Sequence, residues 1–193
     1  MKKIVIIGPE STGKSSLCEA LANHYNTLWC PEYAREYLLK NGTNYSYEDL
    51  LDIAKGQIEL ENSYSEKIKN NNEVILPPNP KNPPQSALRQ FLFIDTDMYV
   101  MKVWCEYVFN KCHSYILEQI ARRKYDAYLL CNTDLPWMKD ELREYPDEKN
   151  RIELFNIYKD ILINQSTPFT IVSGQGQERI NHATAFIDHL LQQ

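Results

Sequence analysis

The stretch most suggestive of chemistry is GPESTGKSS at residues 8–16, directly behind the apolar run IVII at 4–7. It fits the pattern G-x-x-x-x-G-K-[ST], placed between a predicted strand and a predicted helix. The glycines let the backbone wrap around phosphate oxygens, and the loop amides and the helix N-terminus attract the negative charge. The sequence therefore predicts a nucleoside triphosphate site. Its binding residues would be Gly8, Glu10, Ser11, Thr12, Gly13, Lys14, Ser15 and Ser16.

Two side chains of this loop have predicted roles in phosphoryl transfer. Lys14 should reach the β- and γ-phosphates, and the Ser15 hydroxyl should help to hold Mg²⁺. A second Mg²⁺ ligand is predicted at Asp95, because this acid directly follows three apolar residues of a predicted strand. The expected cofactors are ATP and Mg²⁺.

Further charged side chains follow two predicted strands. Glu32 and Arg35 come after the second strand, and Asp95 and Asp97 end the third. Ligands of an open parallel sheet bind beyond the carboxyl ends of the strands, so these residues should converge near the γ-phosphate. Transfer to a hydroxyl needs a carboxylate that orients the hydroxyl and accepts its proton. We predict that Asp97 and Glu32 hold the acceptor hydroxyls; the alternative is that these acids cap helices and form a surface ion pair.

A charged segment at 134–155 follows the fourth predicted strand and carries Arg143 and Arg151. An arginine-bearing mobile segment suits a lid that closes over the triphosphate and excludes water. We predict such a lid, with both arginines and Lys14 in catalytic roles. The alternative is a solvated helical hairpin.

Five short apolar segments alternate with helical patterns along the chain. They predict a doubly wound, five-stranded parallel sheet covered by helices on both sides, an α/β fold of the P-loop NTPase kind. Ser46 and Asp49 predict the start of a long helix. The last helix should bury one face that carries Ile180, Ala183, Ile187 and Leu190. The strands are expected at 3–8, 26–30, 90–95, 125–132 and 168–174.

Length and composition predict one domain spanning residues 1–193. A proline-rich stretch at 76–86 is predicted to be an inserted surface loop; the alternative is a partner-binding site. The net charge of −5 argues against broad binding of nucleic acid or anionic membranes. No apolar run approaches the ~18 residues of a membrane span. Five scattered cysteines without a C-x-x-C pair are typical of reduced thiols, so we expect a cytoplasmic protein.

Three classes of nucleotide-binding protein were compared with the motifs: a small-molecule kinase, a GTPase-like switch and an ATP-driven mechanical module. A GTPase would show Asn-Lys-x-Asp after the fourth strand, but the sequence there is CNTD at 131–134. The third strand ends in DTDM at 95–98, which is not the D-x-x-G of a GTPase switch. A mechanical ATPase usually needs a longer chain for its coupling domains. The kinase class is favoured.

Four blocks resemble, in order, the ribosylnicotinamide kinase domain at the carboxyl end of the NadR type of NAD-metabolism protein. The resemblance implies a fold like nucleoside monophosphate kinases, ATP·Mg²⁺ as donor, and phosphorylation of the 5′-hydroxyl of nicotinamide riboside to NMN in NAD salvage. It also implies an acceptor site made by Glu32, Tyr33, Arg35, Asp97 and Trp137. The blocks are GPESTGKS at 8–15, Glu32-Tyr33 with Arg35 and Tyr37, IDTD at 94–97, and Pro136-Trp137 with Asp140 and Arg143.

The sequence departs from this family pattern at Pro31 and in the proline-rich insertion at 76–86 before the third strand. Pro31 stands where family members carry an aromatic residue that can stack on the nicotinamide ring, and Trp29 and Tyr33 are the nearby aromatics. The chain also lacks the H-x-G-H motif of the adenylyltransferase part, so a free-standing kinase is expected. Its predicted partner is a small nucleoside-like molecule, without nucleic acid or membrane; no oligomeric state is predicted. Two alternatives stay open: a kinase for another nucleoside, and a regulatory ATP/GTP-binding module without kinase activity.

Overall fold

Five parallel strands form the central sheet in the order β2-β3-β1-β4-β5. The computed structural model describes residues 1–70, 91–142 and 147–192. β1 lies at the centre and pairs with both β3 and β4. The predicted five-stranded parallel sheet is thereby confirmed. The strands are β1 (Lys2–Ile7), β2 (Leu28–Cys30), β3 (Phe91–Asp95), β4 (Ala127–Cys131) and β5 (Phe169–Val172).

Seven helices accompany the strands in the described parts of the chain. The capping pattern predicted at Ser46 is present, since the Ser46 amide donates to Asp49 Oδ2 at 2.7 Å and the Asp49 amide donates to Ser46 Oγ at 3.3 Å. The helices are α1 (Lys14–His24), α2 (Tyr33–Asn41), α3 (Tyr47–Asn70), α4 (Met98–Phe109), α5 (Ser114–Arg122), α6 (Glu148–Ile163) and α7 (Gln177–Leu191).

Helices cover both faces of the sheet, which explains why most residues of its strands are apolar on both faces. Alternate residues of β1 point to opposite faces: Ile4 and Ile6 pack with α1 and α7, whereas Val5 and Ile7 pack with α4 and α6. The predicted apolar face of the last helix lies in the first of these cores. A third core joins helices α2 to α5 beyond the β2 edge.

Several parts of the sequence-based description differ from the structure or lie outside it. The sequence analysis assigned no element to residues 98–122, where the structure has α4 and α5. The proline-rich stretch at 76–86 lies outside the described residues, and the single-domain span of 1–193 stays a prediction. In the parts of the chain that the structure describes, no helix has the length and hydropathy to cross a membrane.

Candidate active site

The loop between β1 and α1 has the geometry of a phosphate-binding loop. Gly8 has φ of 146°, and a Cβ there would lie 2.9 Å from the Cys131 carbonyl oxygen; Gly13 has φ of 75°. Both positions therefore require glycine. The Thr12 hydroxyl and the Lys14 ammonium donate to the Pro9 carbonyl at 2.8 and 2.9 Å. These bonds close the loop and hold the Lys14 charge at the phosphate site.

A cavity of about 450 Å³ adjoins this loop. Residues 8–16 together with Asp95 form what we call the donor end of the cavity. The remaining lining contains mostly apolar and aromatic side chains from α2, α4 and α6, with a few charged ones, and we call this part the acceptor end. The volume and mixed lining are those of a small-molecule site. The charged lining residues are Glu10, Lys14, Glu32, Arg35, Asp95 and Asp140.

Asp95 and Ser15 meet at the donor end. The Ser15 hydroxyl donates to Asp95 Oδ2 at 2.5 Å, whereas Asp95 Oδ1 is buried and has no hydrogen-bond partner among the described residues. Burial, and secondarily the charge of Glu32, raises the pKa of Asp95 to about 7, against the opposing effects of Lys14 and Ser15. A buried carboxylate oxygen without a donor, next to a hydroxyl, fits a hard cation such as Mg²⁺.

Ser15 and Asp95 alone would not complete the coordination of such a cation. Among residues 1–70, 91–142 and 147–192, no group of three or more His, Cys, Asp and Glu side chains could hold a metal ion. Mg²⁺ commonly takes one or two protein oxygens and completes its shell with water and substrate phosphates. The pair of Ser15 and Asp95 is consistent with that mode of binding.

Glu32 is the second carboxylate that the structure brings to this cavity. It immediately precedes α2, is half-buried, and accepts a hydrogen bond from the Thr96 hydroxyl at 3.4 Å. Thr96 has φ of 76°, an outlier for a β-branched residue, and such strain is concentrated at functional sites. Glu32 and Asp95 are therefore neighbouring acids on one cavity.

Asp97 is not brought together with Glu32 and Asp95, and its predicted role in holding an acceptor hydroxyl stays a prediction. Its Oδ1 accepts hydrogen bonds from the Tyr99 and Val100 amides and caps α4, and its Oδ2 accepts one from the Tyr128 hydroxyl at 2.8 Å. Its buried carboxylate is absent from the lining of the cavity beside the phosphate-binding loop. Asp95 and Asp97 would share one face if the strand continued. The strand ends at Asp95, however, and the left-handed Thr96 turns the next side chain away. Asp97 caps α4, as the capping alternative predicts.

Two other predicted acceptor residues are also outside the cavity lining. The Tyr33 ring lies over Gly56 of α3, where an added Cβ would approach the ring to 2.1 Å. Tyr33 therefore packs against α3, and its amide donates to Gln57 Oε1 at 2.7 Å. Trp137 does not line the cavity either. Arg35 does line it, and pairs through both Nη atoms with Asp140, at 3.3 and 2.9 Å.

The segment predicted as a lid contacts the phosphate-binding loop. Its part at 134–142 is not helical, and the Met138 amide donates to Ser11 Oγ at 2.8 Å. The buried Arg151 of α6 donates through Nη2 to the carbonyls of Ser11 and Leu135, at 3.4 and 3.0 Å. Arg151 thus connects the loop, the segment and α6. Arg143 lies outside the described residues, so its role stays a prediction.

Sequence reasoning missed most of the acceptor end. Trp104 and Tyr107 of α4 line the cavity with Tyr158 of α6, and we call these three rings the aromatic wall. The Trp104 indole donates to the Tyr45 hydroxyl at 2.9 Å, which fixes its ring. The available signal was the spacing of Val100, Val103, Trp104 and Tyr107, which is that of one helix face.

A buried arginine beside the phosphate-binding loop was also missed. Arg179 of α7 donates through Nη2 to the Thr12 carbonyl at 2.7 Å. No motif connects residue 179 with residue 12, and only the tertiary structure brings them together.

Known proteins share both the sequence pattern and the fold. The trifunctional NAD biosynthesis/regulator protein NadR of Escherichia coli (strain K12) is 26% identical over 179 residues, which cover 89% of this chain and 38% of that protein. The crystal structure of a NadR protein in complex with NR has a TM-score of 0.69 and 21% identity, covering 98% of this chain and 49% of that one. The thymidylate kinase of Ehrlichia chaffeensis has a TM-score of 0.61 at 11% identity, covering 96% and 98%.

These similarities confirm the resemblance to NadR and the fold of P-loop nucleotide kinases. The chain spans less than half the length of the NadR proteins that it matches. The family model described as AAA domain matches residues 3–77 and 82–179, which is most of the chain. The protein therefore belongs to this AAA domain family of P-loop proteins.

Proposed function

We propose that this chain is an ATP-dependent kinase that transfers the γ-phosphoryl group to the 5′-hydroxyl of nicotinamide riboside and forms NMN. The observation that carries the proposal is one cavity with a phosphate-binding loop at its donor end and fixed aromatic rings at its acceptor end. Glu32 and Asp95 are two of the acids that line this cavity. The similarity to NadR, a protein of NAD biosynthesis, supports the choice of acceptor.

The donor end is suited to ATP. The amides of the loop and the Lys14 ammonium would bind the β- and γ-phosphates. Ser15 and Asp95 would hold Mg²⁺, which neutralises charge on the phosphate oxygens when it is bound. Arg151 is placed to keep the loop and the segment at 134–142 together, which keeps water from the transferred group.

Glu32 is the proposed base at the acceptor end. The 5′-hydroxyl would donate its proton to the Glu32 carboxylate as its oxygen forms a bond to the γ-phosphorus. The bond between that phosphorus and the β–γ bridging oxygen breaks, ADP leaves, and Glu32 returns the proton to solvent. Asp95 is the weaker candidate for the base because its carboxylate already accepts a hydrogen bond from Ser15 and would bind the proposed cation.

The aromatic wall suits the positive charge on the ring of the proposed acceptor. Nicotinamide riboside carries a pyridinium cation, whereas the common nucleosides carry neutral bases. Aromatic faces attract cations, by up to ~2 kcal/mol in desolvated sites. Trp104, Tyr107 and Tyr158 would supply this attraction in place of the family aromatic that Pro31 replaces.

Composition supports the proposed setting of the reaction. All five cysteines are free in the structure, consistent with a reducing compartment such as the cytoplasm. The net charge of −5 favours a small-molecule substrate over nucleic acid.

The test is acceptor-stimulated ADP release with nicotinamide riboside, its reduced form and the common nucleosides. The reduced form has nearly the same shape and a neutral ring, so it isolates the charge. A preference of roughly 5- to 30-fold in kcat/KM for the cation is expected from 1–2 kcal/mol of cation–π attraction. ADP release with only another nucleoside would show that the protein is a kinase but that nicotinamide riboside is not its acceptor. ADP release with none of them would favour a regulatory ATP/GTP-binding module.

A further inference from the structure

The guanidinium of Arg179 is buried against the phosphate-binding loop and joins three segments of the chain. Its residue is 5% exposed. Nη2 donates to the carbonyls of Thr12 and Asn132, at 2.7 and 3.3 Å, and Nη1 donates to the Gly174 carbonyl at 3.0 Å. Nη1 also pairs with Asp134 Oδ1 at 2.9 Å. One side chain of α7 thus connects the loop with the ends of β4 and β5.

The hydrogen bond from Arg179 to the Thr12 carbonyl fixes the direction of a loop amide. A trans peptide is planar, with its C=O and N–H pointing in opposite directions. A donor that fixes the Thr12 carbonyl therefore fixes the Gly13 N–H on the opposite side, away from Arg179. Arg151 does the same to the preceding peptide by donating to the Ser11 carbonyl. Two arginines from different helices hold consecutive peptide planes of the anion site.

The charge of Arg179 strengthens this effect. A cationic donor on a carbonyl polarises the whole peptide, so the opposite N–H becomes a better donor to phosphate. Arg179 Nε is buried without a hydrogen-bond partner among the described residues and lies 4.0 Å from where a Gly13 Cβ would be.

Asp134 holds Arg179 in place from the other side. Its Oδ2 accepts a hydrogen bond from the Gly174 amide at 2.6 Å. Burial opposes ionisation, but the Gly174 amide and the Arg179 guanidinium together lower the pKa of Asp134 below its ordinary value. Asp134 is therefore anionic at neutral pH and orients the guanidinium, while Arg179 carries the contact to the loop.

We propose that Arg179 is a positioning residue of the triphosphate site, which presents the loop amides to phosphate without touching the nucleotide. The inference rests on the proposed binding of ATP at the donor end. It assigns to α7 a part in phosphate affinity and none in recognition of the acceptor.

The test is calorimetric binding of ATP·Mg²⁺ and of inorganic tripolyphosphate to the full chain, with Arg179→Gln and Arg179→Lys. Arg179→Gln should weaken both probes by a similar factor of about 10, which corresponds to about 1.4 kcal/mol. The affinity of Arg179→Lys should lie between those of wild type and Arg179→Gln. Its ammonium keeps the charge but cannot donate in two directions as the planar guanidinium does. The KM for the acceptor should stay within about 2-fold, a split that general loss of structure would not produce.

Arg123→Gln is the matched control. Arg123 is also a largely buried arginine paired with an acid, at 2.9 Å from Glu61, but its partners are Glu61 and Asn62 of α3 rather than the phosphate-binding loop. Both Gln variants should lose thermal stability, and only Arg179→Gln should lose phosphate affinity. Equal affinity in the two variants would overturn the proposal. So would weaker ATP binding with unchanged tripolyphosphate binding, or failure of both Arg179 variants to fold.

These readouts separate the inference from the proposed function. Phosphate affinity can be measured whether or not nicotinamide riboside is the acceptor. A wild-type protein that binds ATP but does not phosphorylate this riboside would overturn the function and leave the role of Arg179 intact.

Discussion

The donor and acceptor ends of the cavity are built in different ways. The donor end comes mainly from nine consecutive residues, 8–16, with Asp95 added from the neighbouring strand. The acceptor end combines side chains from α2, α4 and α6, which are separated by dozens of residues in sequence. The first is a local backbone structure, whereas the second exists only after the helices have packed. The two ends should therefore respond to different substitutions and be separable in experiment.

Glu32→Gln should have the largest effect and should act on the acceptor end alone. Loss of the proposed base should lower kcat by about 10²- to 10³-fold. Binding of ATP·Mg²⁺ should hold, because removal of the Glu32 charge lowers the pKa of Asp95 and favours its anionic form. Single-turnover transfer and calorimetric ATP binding would measure the two quantities separately.

Asp97→Asn is the matched control for Glu32→Gln. The amide can still cap α4 through its oxygen, and the residue lies outside the cavity lining. We expect kcat within about 3-fold of wild type, since a substitution away from the reacting atoms that preserves the cap disturbs little. If Asp97→Asn instead loses as much activity as Glu32→Gln, the original assignment of Asp97 to the acceptor is right and the cap is secondary.

Trp104→Leu should weaken binding of the acceptor, with a smaller effect on catalysis than Glu32→Gln. The loss of one aromatic face costs ~1–2 kcal/mol for a cationic ring, so the KM for nicotinamide riboside should rise about 5- to 30-fold. The KM for ATP should not change, and the preference over the reduced riboside should shrink. Tyr45→Phe keeps all rings but removes the acceptor of the Trp104 indole, so it should show a smaller rise. A rise in the KM for ATP instead would mean that the two ends are not separable.

The contrast between the ends also explains what the sequence could predict. The loop, the strands and Asp95 were predictable because each depends on neighbours in sequence: a motif, an apolar run, an acid behind a strand. The contact of segment 134–142 with the loop agrees with the predicted position of the lid, whereas the bonds of Arg151 to the Ser11 and Leu135 carbonyls were not predicted.

The sequence could not predict side-chain directions that one backbone or packing detail decides. Asp97 lies outside the cavity lining because the left-handed Thr96 turns it away, and no glycine or asparagine signals that conformation. Tyr33 packs on α3 because Gly56, in the middle of that helix, leaves space for its ring. A glycine inside a long helix could have served as a signal, since it costs ~1 kcal/mol relative to alanine and needs a packing reason.

Glu61 lies outside the cavity lining and tests whether the fold can be weakened without changing either end. Its buried carboxylate pairs with Lys3 at 2.7 Å and Arg123 at 2.9 Å, and accepts from the Tyr125 hydroxyl at 2.9 Å. Burial alone would raise the pKa of Glu61, but Arg123 and Lys3 outweigh it and lower the pKa below its ordinary value. A lowered pKa in the folded state means that the ionised carboxylate stabilises the fold.

This stabilisation is fully present above the unfolded pKa of ~4.3 and is lost as pH falls through the lower folded value. Glu61→Gln should therefore reduce the free energy of unfolding by ~2–4 kcal/mol at pH 7, with the difference from wild type shrinking below pH ~4. Urea unfolding between pH 3 and 8 measures it, with the exposed Glu66→Gln on the same helix as control. At 25 °C the folded variant should keep the wild-type kcat and both KM values. A stability difference that grows toward low pH would contradict the assigned pKa direction, and an altered kcat would show that Glu61 reaches the active site.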